Sequence, residues 1–343
     1  MIIKNFFLTP FLVIVLILSL LYAVTFGSIE IDLITAYKII FNTILGKDLF
    51  SSDINNDVIW LLRLPRVILA ACIGAGLSVC GVVMQAIVKN PLADPYILGI
   101  SAGASLGATL SIMLGIGVSL GNNFVGISAA IGAFLVSLAV LLLANIGGRA
   151  DSIKLLLSGM ALSALCSAFS SFIVYFSDNK EGIQSIAYWL MGSLAGANWE
   201  QLVIIIPVTF ICVIFFTIQS RILNLMLLGD DTAVTLGTGL HSYRHIYLIV
   251  ASVMIGFAVY SAGIIGFVGL IIPHAFRMVL GTDHKILLPT VALGGAIFLI
   301  WADILCRIII SGSELPIGIL VSMIGAPCFI YLMVKKTYGF GGN

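Results

Sequence analysis

Residues 60–107 read Trp60-Leu-Leu-Arg63-Leu-Pro65-Arg66, then an apolar run from Val67 to Val88. Lys89-Asn90-Pro91-Leu-Ala-Asp94-Pro95 follows, and the stretch closes with Leu98-Gly99-Ile-Ser-Ala-Gly103-Ala-Ser-Leu-Gly107. The run from Val67 to Val88 carries no charge. It is long enough for a hydrocarbon core, which takes about 20 helical residues. Two arginines mark one membrane face and the Asn-Pro break marks the other, so the rest of the chain can be oriented from this stretch.

Outward from it, the composition agrees. Hydrophobic residues make up 61% of the 343 and charged residues 9%, against roughly 25% charged in a soluble domain. A near-neutral net charge of +1 argues against nucleic-acid binding. Lipid satisfies no backbone hydrogen bonds, and the apolar runs are long rather than short and alternating, so the spans are helices and not barrel strands. The fold class expected is an all-α polytopic membrane protein forming a single transmembrane domain. The six cysteines, Cys72, Cys80, Cys166, Cys212, Cys306 and Cys328, sit in apolar runs without CxxC spacing and read as small buried hydrophobes. No metal site and no cofactor held by this chain is expected.

In chain order, residues 6–26 form a first span. Its apolar stretch exceeds a signal-peptide h-region and lacks an A-x-A exit, so it is expected to be retained. Residues 28–59 form an extracytoplasmic loop. There Ile34, Tyr37, Phe41 and Ile44 recur at helical spacing, as in an amphipathic helix on the membrane surface. Spans two to five lie within 60–176, the sixth runs from Trp199 to Gln219, and spans seven to ten lie within 247–334. Residues 221–244 are polar and hold no span. Ten spans place both termini on one side. With the amino terminus inside, the inside loops hold nine Lys and Arg and the outside loops six. Both termini are therefore expected to be cytoplasmic.

Small residues repeat on two spans. Gly99, Gly103, Gly107, Ser111 and Gly115 form one ladder, and Gly74, Ser78, Gly81 and Gln85 another. Such ladders let backbones approach closely where lipid removes the hydrophobic drive. Ser163, Ser167, Ser170 and Ser171 line one face of the fifth span, either as helix-packing glue or as an uncharged solute path. Asp303 and Arg307, four apart, can pair on one helix face. His274 beside Pro273 reads as a packing histidine. His241 and His245 have HxxxH spacing but lack the glutamate of a metalloprotease, and the intervening Ser242-Tyr243-Arg244 reads as a solvated turn. Leu228-Gly229-Asp230-Asp231-Thr-Ala233-Val-Thr-Leu236-Gly237 reads as a short helix with an Asp at its N-cap and Gly237 at its left-handed exit. Two turns cannot be stable alone, so this helix needs a surface to lean on.

Taken in series, several motifs resemble the FecCD-type permease subunits of type II ABC importers, which carry iron-siderophores, haem and vitamin B12. They are Arg63-Leu-Pro-Arg66, Gly81 with Gln85, Asn90-Pro91 through Asp94-Pro95 with Gly99 and Gly103, and the Gly229–Gly237 segment. Gly263 through Pro273-His274 to Arg277, Gly281-Thr-Asp283-His284, Asp303 with Arg307, and Glu314-Leu-Pro316 continue the series. The resemblance covers nearly the whole chain. It implies a multi-pass cell-membrane subunit that pairs with a second permease copy or a close paralogue. It also implies a cytoplasmic ABC ATPase dimer, which would carry the ATP and Mg, and an extracytoplasmic substrate-binding protein. Arg63, Arg66 and Arg307 would dock that protein's acidic residues. Gly229, Asp230, Asp231, Ala233, Leu236 and Gly237 would couple to the ATPase. Asp151 and Ser152 would sit at the gate, the fifth and tenth spans would line the path, and the four serines would belong to it. Gln85, Asn90, Pro91, Gly99, Gly103, Pro273, His274, Asp303 and Pro316 would be structural. Asp-Asp stands where the family more often has a Glu pair. Spans two to five and seven to ten would be inverted repeats, with the Asn90-Pro91 break facing the Pro273-His274 break.

The function expected is translocation of an iron-chelate-type solute (ferric siderophore, haem or cobalamin) by a transport subunit that is not itself an enzyme. No G-x-x-x-x-G-K-[ST] occurs, so nucleotide energy must arrive through a contact. The alternative, an ion-coupled secondary transporter, usually needs unpaired midplane carboxylates, and the spans offer only Asp303 with a partner at hand. No G-x-S-x-G or HExxH motif supports an intramembrane enzyme.

Overall fold

The computed structural model describes residues 2–27, 31–45, 54–121, 123–146, 152–310 and 312–335. Helix α1 spans Ile2–Ala23 and α2 Leu33–Ile44; α3, Ile54–Asp57, runs through a π-helical turn into α4, Leu64–Val88. Then come α5 (Ile100–Leu114), α6 (Phe124–Asn145), α7 (Ser152–Tyr175), α8 (Lys180–Leu190) and α9 (Trp199–Ile218). After two short helices, α10 (Ser220–Leu228) and α11 (Asp230–Thr235), the chain closes with α12 (His241–Ala262), α13 (Val268–Leu280), α14 (His284–Ile308) and α15 (Ile317–Lys335).

Among the described residues, six helical stretches are long and apolar enough to cross a membrane: Ile54–Val88, α6, α7, α9, α12 and α14. The other four expected spans fall on α1, α5, α13 and α15, whose described apolar stretches are shorter. Helix α5 has 15 residues and α13 has 13, about 22 Å and 20 Å at 1.5 Å per residue. Each is entered through a break. In the first, Lys89 ends α4 in the left-handed region (φ 56°) and Asn90 Oδ1 accepts the Leu92 N–H at 2.9 Å. Asp94 Oδ1 then accepts from Tyr96 N at 2.8 Å, ahead of a 3₁₀ turn led by Pro95. The second break corrects the expectation: it lies at Gly263–Phe267, with Phe267 at φ 66°, whereas Pro273 and His274 sit inside a continuous α13. The two breaks meet, because a Cβ at Gly269 would strike the Pro95 ring.

Helix α4 is the packing centre, set against α14, α13, α12 and α9. A side chain at Gly74 would overlap the Gly295 carbonyl of α14, and one at Gly81 the Gly269 carbonyl of α13. The second ladder is therefore a close backbone seam. The first ladder is shorter than its sequence. Gly103 and Gly107 face the carbonyls of Gly132 and Ser128 on α6, and left-handed Gly99 lies against Val136 of α6 and the Gly159 carbonyl of α7, but left-handed Gly115 stands outside the seam. Helices α4–α7 and α12–α15 share a neighbour pattern. Helix α4 packs on α14 and α13 as α12 packs on α6 and α5, while α5 meets α6 and α7 as α13 meets α14 and α15.

Helix α2 forms as expected and is amphipathic. Ala36 and Ile39 are fully buried, whereas Ile34, Phe41 and Ile44 are exposed. All six cysteines are free; Cys328 is exposed rather than buried.

Candidate docking, coupling and path surfaces

The first residues of α4 meet the end of α14 in a buried ionic cluster. Arg66 Nε lies 2.9 Å from Asp303 Oδ1, and its Nη1 donates to Glu314 Oε1 and Oε2 at 2.9 and 2.7 Å. Arg307 Nη2 lies 2.8 Å from Asp303 Oδ2, and its Nη1 donates to the Phe26 carbonyl at 2.9 Å. Arg63 Nη1 donates to the carbonyls of Val24 and Thr25 at 3.1 and 2.9 Å. Those carbonyls follow the C-terminus of α1, where the helix dipole favours cations. The side chain of Asp303 is 1% exposed, Arg307 5%, Arg66 11% and Glu314 43%. The three arginines expected on one face are thus brought together, but as engaged, buried groups. The solvent-facing member is Glu314.

The opposite end of α4, roughly 33 Å from Arg66 at 1.5 Å per residue, carries the second site. Asp230 was expected to cap α11, but Gly229 occupies the cap position at φ 102°. Asp230 instead faces Arg244, with Nη2 and Oδ1 2.7 Å apart, and Lys89 Nζ lies 3.8 Å away. Short α11 thereby leans on the end of α4 and the start of α12, and Ala233 is its fully buried contact. Gly237 takes the expected left-handed exit at φ 79°. Leu228, Val234 and Leu236 are each at least 60% exposed, and Asp231 lies in the first turn of α11. Ser242-Tyr243-Arg244 is not a solvated turn but part of the start of α12, between His241 and His245, with Arg244 buried. His245 accepts from Asn145 Nδ2 through Nε2 at 2.8 Å, with Nδ1 2.8 Å from the His241 carbonyl.

A clasp that sequence reasoning left unread joins α10 to α14. Asn224 Nδ2 donates to Asp283 Oδ1 at 2.8 Å, and the His284 N–H donates to Asn224 Oδ1 at 2.9 Å. The Asn224 bond holds the Asp283 carboxyl below its ordinary pKa.

The path candidates divide. Ser163 Oγ donates to the Gly159 carbonyl at 2.7 Å, Ser170 is half-buried, and Ser167 and Ser171 are exposed. Helix α7 buries only Leu155, Gly159 and Cys166 and exposes Leu157, Met160, Phe169, Phe172 and Tyr175. Ser152 Oγ donates to the Ile87 carbonyl at 3.0 Å, next to the α4 break. Asp151 lies outside the described residues. A cavity of about 550 Å³ opens beside α15, lined by Met191, Ile264, Gly318, Ile319, Ser322 and Met323. The Gly318 N–H donates to the Met191 carbonyl at 3.0 Å, just after Pro316, which pins the start of α15 to the end of α8. The α15 residues in that wall were not anticipated, because a run as uniformly apolar as 317–335 has no periodic polar face to read.

Among the structural motif residues, Gln85 and Pro273 act on one atom. Proline has no N–H, so Pro273 leaves the Gly269 carbonyl without its helical donor. Gln85 Nε2 points at that carbonyl at 3.5 Å, a long hydrogen bond. Gly81, one turn earlier on α4, leaves room for the same carbonyl. His274 is half-buried on the next position of α13. No group of three or more His, Cys, Asp or Glu able to hold a metal occurs among the described residues.

A bundle of several membrane-length apolar helices, with ionic sites at the two ends of its central helix, defines the class: a multi-pass membrane protein. The chain belongs to the FecCD transport family, which matches residues 13–335. It is 37% identical over 330 residues to the hemin transport system permease protein HmuU of Yersinia pestis, covering 95% of each chain. To the vitamin B12 import system permease protein BtuC of Salmonella typhi it is 40% identical over 282 residues, covering 81% of this chain and 84% of the relative. A solved metal-chelate type ABC transporter in an inward-facing conformation superposes with a TM-score of 0.80 at 32% identity, over 97% of this chain and all of that one.

Proposed function

We propose that this chain is the membrane-spanning subunit of an ATP-driven importer for an iron-chelate-type solute such as haem, a ferric siderophore or cobalamin. The observation that carries the reading is the separation of two sites along one rigid rod. The Arg66 cluster stands at one end of α4, and α11 leans on the other through Lys89 and Asp230. An extracytoplasmic binding protein docks at the first end, and a separate ATPase dimer grips the Leu228, Val234 and Leu236 surface at the second. The relatives named for haem and B12 import support the solute class.

In this reading the chain crosses the cell membrane ten times, with α1, α5, α13 and α15 added to the longer helices and both termini in the cytoplasm. The matching neighbour patterns of α4–α7 and α12–α15 support inverted repeats. The bare apolar face of α7 fits a second copy or a close paralogue across a path that α7 and α15 line. Exposed Ser167 and Ser171 beside large apolar side chains suit a bulky, weakly held cargo.

The test is uptake into proteoliposomes holding this chain, its ATPase and its binding protein. Uptake that requires ATP and all three components is expected. Accumulation by this chain alone on an ion gradient would identify a secondary transporter instead.

A further inference from the structure

Within the buried cluster, Arg66 is held by two carboxylates of different character. Asp303 is enclosed and shared with Arg307, while Glu314 is 43% exposed and places both oxygens on one nitrogen of Arg66. Arg66 and Arg307 here face Asp303 and Glu314. Withdrawing Glu314 leaves these two guanidinium groups against one carboxylate, a buried excess of positive charge that favours a new anionic partner. We propose that Glu314 is an internal stand-in for the acidic side chain of the docking protein, so that docking exchanges one carboxylate for another on Arg66. The inference rests on the docking role given above and adds the residue that sets its affinity.

The geometry suits an exchange. Glu314 is the solvent-exposed partner of Arg66 and open to replacement from outside, whereas Asp303, 1% exposed, stays as the permanent counter-charge. Glu314 also sits in the turn between α14 and α15. There the Leu315 N–H donates to the Cys306 carbonyl at 3.1 Å, and Pro316 leads directly into α15. Gly318, Ile319, Ser322 and Met323 of α15 form one wall of the 550 Å³ cavity. Freeing Glu314 therefore loosens the turn that carries that wall, which links arrival of the partner to the mouth of the path. The incoming group is a surface Asp or Glu, the unmodified protein side chains whose two oxygens reproduce the contact that Glu314 makes with the guanidinium.

The full-length chain in nanodiscs, assembled with its ATPase, tests this against the binding protein that co-purifies with the wild type. Affinity is measured by surface plasmon resonance for the wild type, Glu314→Gln, Glu314→Ser and Glu314→Asp. Both neutral variants are expected to bind roughly threefold to tenfold more tightly at low salt, with the gain shrinking near about 0.5 M salt. Glu314→Asp, which keeps the charge, is expected to stay close to wild type. Unchanged or weaker binding in both neutral variants overturns the exchange. Arg66→Gln separates the two levels: if it binds as the wild type does, at all salt concentrations, the docking role of the cluster fails along with the inference.

Discussion

At the scale of single residues, the strongest interactions join positions far apart in the chain. Asp303 is the hub. Replacing it with Ala leaves Arg66 and Arg307 buried with one exposed counter-ion between them, and breaking a buried pair this way costs about 3–5 kcal/mol. A clear drop in the thermal unfolding midpoint of the detergent-purified chain is expected, and an unchanged midpoint would contradict the buried-hub geometry. Gln85→Leu strands the Gly269 carbonyl opposite Pro273 and is expected to cost about 1–3 kcal/mol. Asp283 gives the pH dependence. Its folded-state pKa is depressed by Asn224, so its contribution is present above the ordinary carboxylate range and is lost as pH falls through the lowered value. Protection factors for amide exchange at the start of α14, corrected for the intrinsic pH dependence of exchange, should fall in acid for the wild type and stay unchanged in Asp283→Asn. The Asp303–Arg307 pair was legible in sequence because four positions on a helix are neighbours. Arg66 with Glu314, 248 positions apart, was not, and neither was the contact of Asp230 with Arg244, since the favoured role of an early acidic residue in a helix is to cap it.

At the scale of elements, small residues decide where helices touch. Gly107→Val drives a branched side chain into the Ser128 carbonyl and should separate α5 from α6, with lowered expression and loss of the monodisperse species on gel filtration. Ala233→Arg tests α11. Ala233 is fully buried, so the substitution lifts the short helix off its support. Uptake and ATPase association are expected to fall together, while normal values for both would refute the coupling role. Helix positions were largely readable because apolar length and Gly or Pro punctuation set them. The second break was misplaced for a physical reason: Pro273, six residues into α13, is tolerated because Gln85 approaches the carbonyl it orphans. Gly263 and Phe267, left-handed both, are where the chain turns. The α2 face was read as one stripe, and the tertiary contact falls on Ala36 and Ile39 beside it, so the larger apolar side chains are left facing out.

At the scale of the molecule, α7 is the least buried of the membrane-length helices. It is long enough to cross a membrane but buries little of itself. A second copy covering that face predicts efficient disulfide cross-linking between subunits for single cysteines at exposed positions such as Phe172, in a background lacking exposed Cys328. Absence of any cross-linked dimer would place the path elsewhere. The most direct measurement for the central claim is solute uptake by proteoliposomes with and without ATP, using the chain reconstituted first alone and then with its ATPase and binding protein. Concentrative uptake only in the complete, ATP-fed assembly is the result predicted. Accumulation against a gradient by the lone chain, powered by protons or sodium, would contradict it.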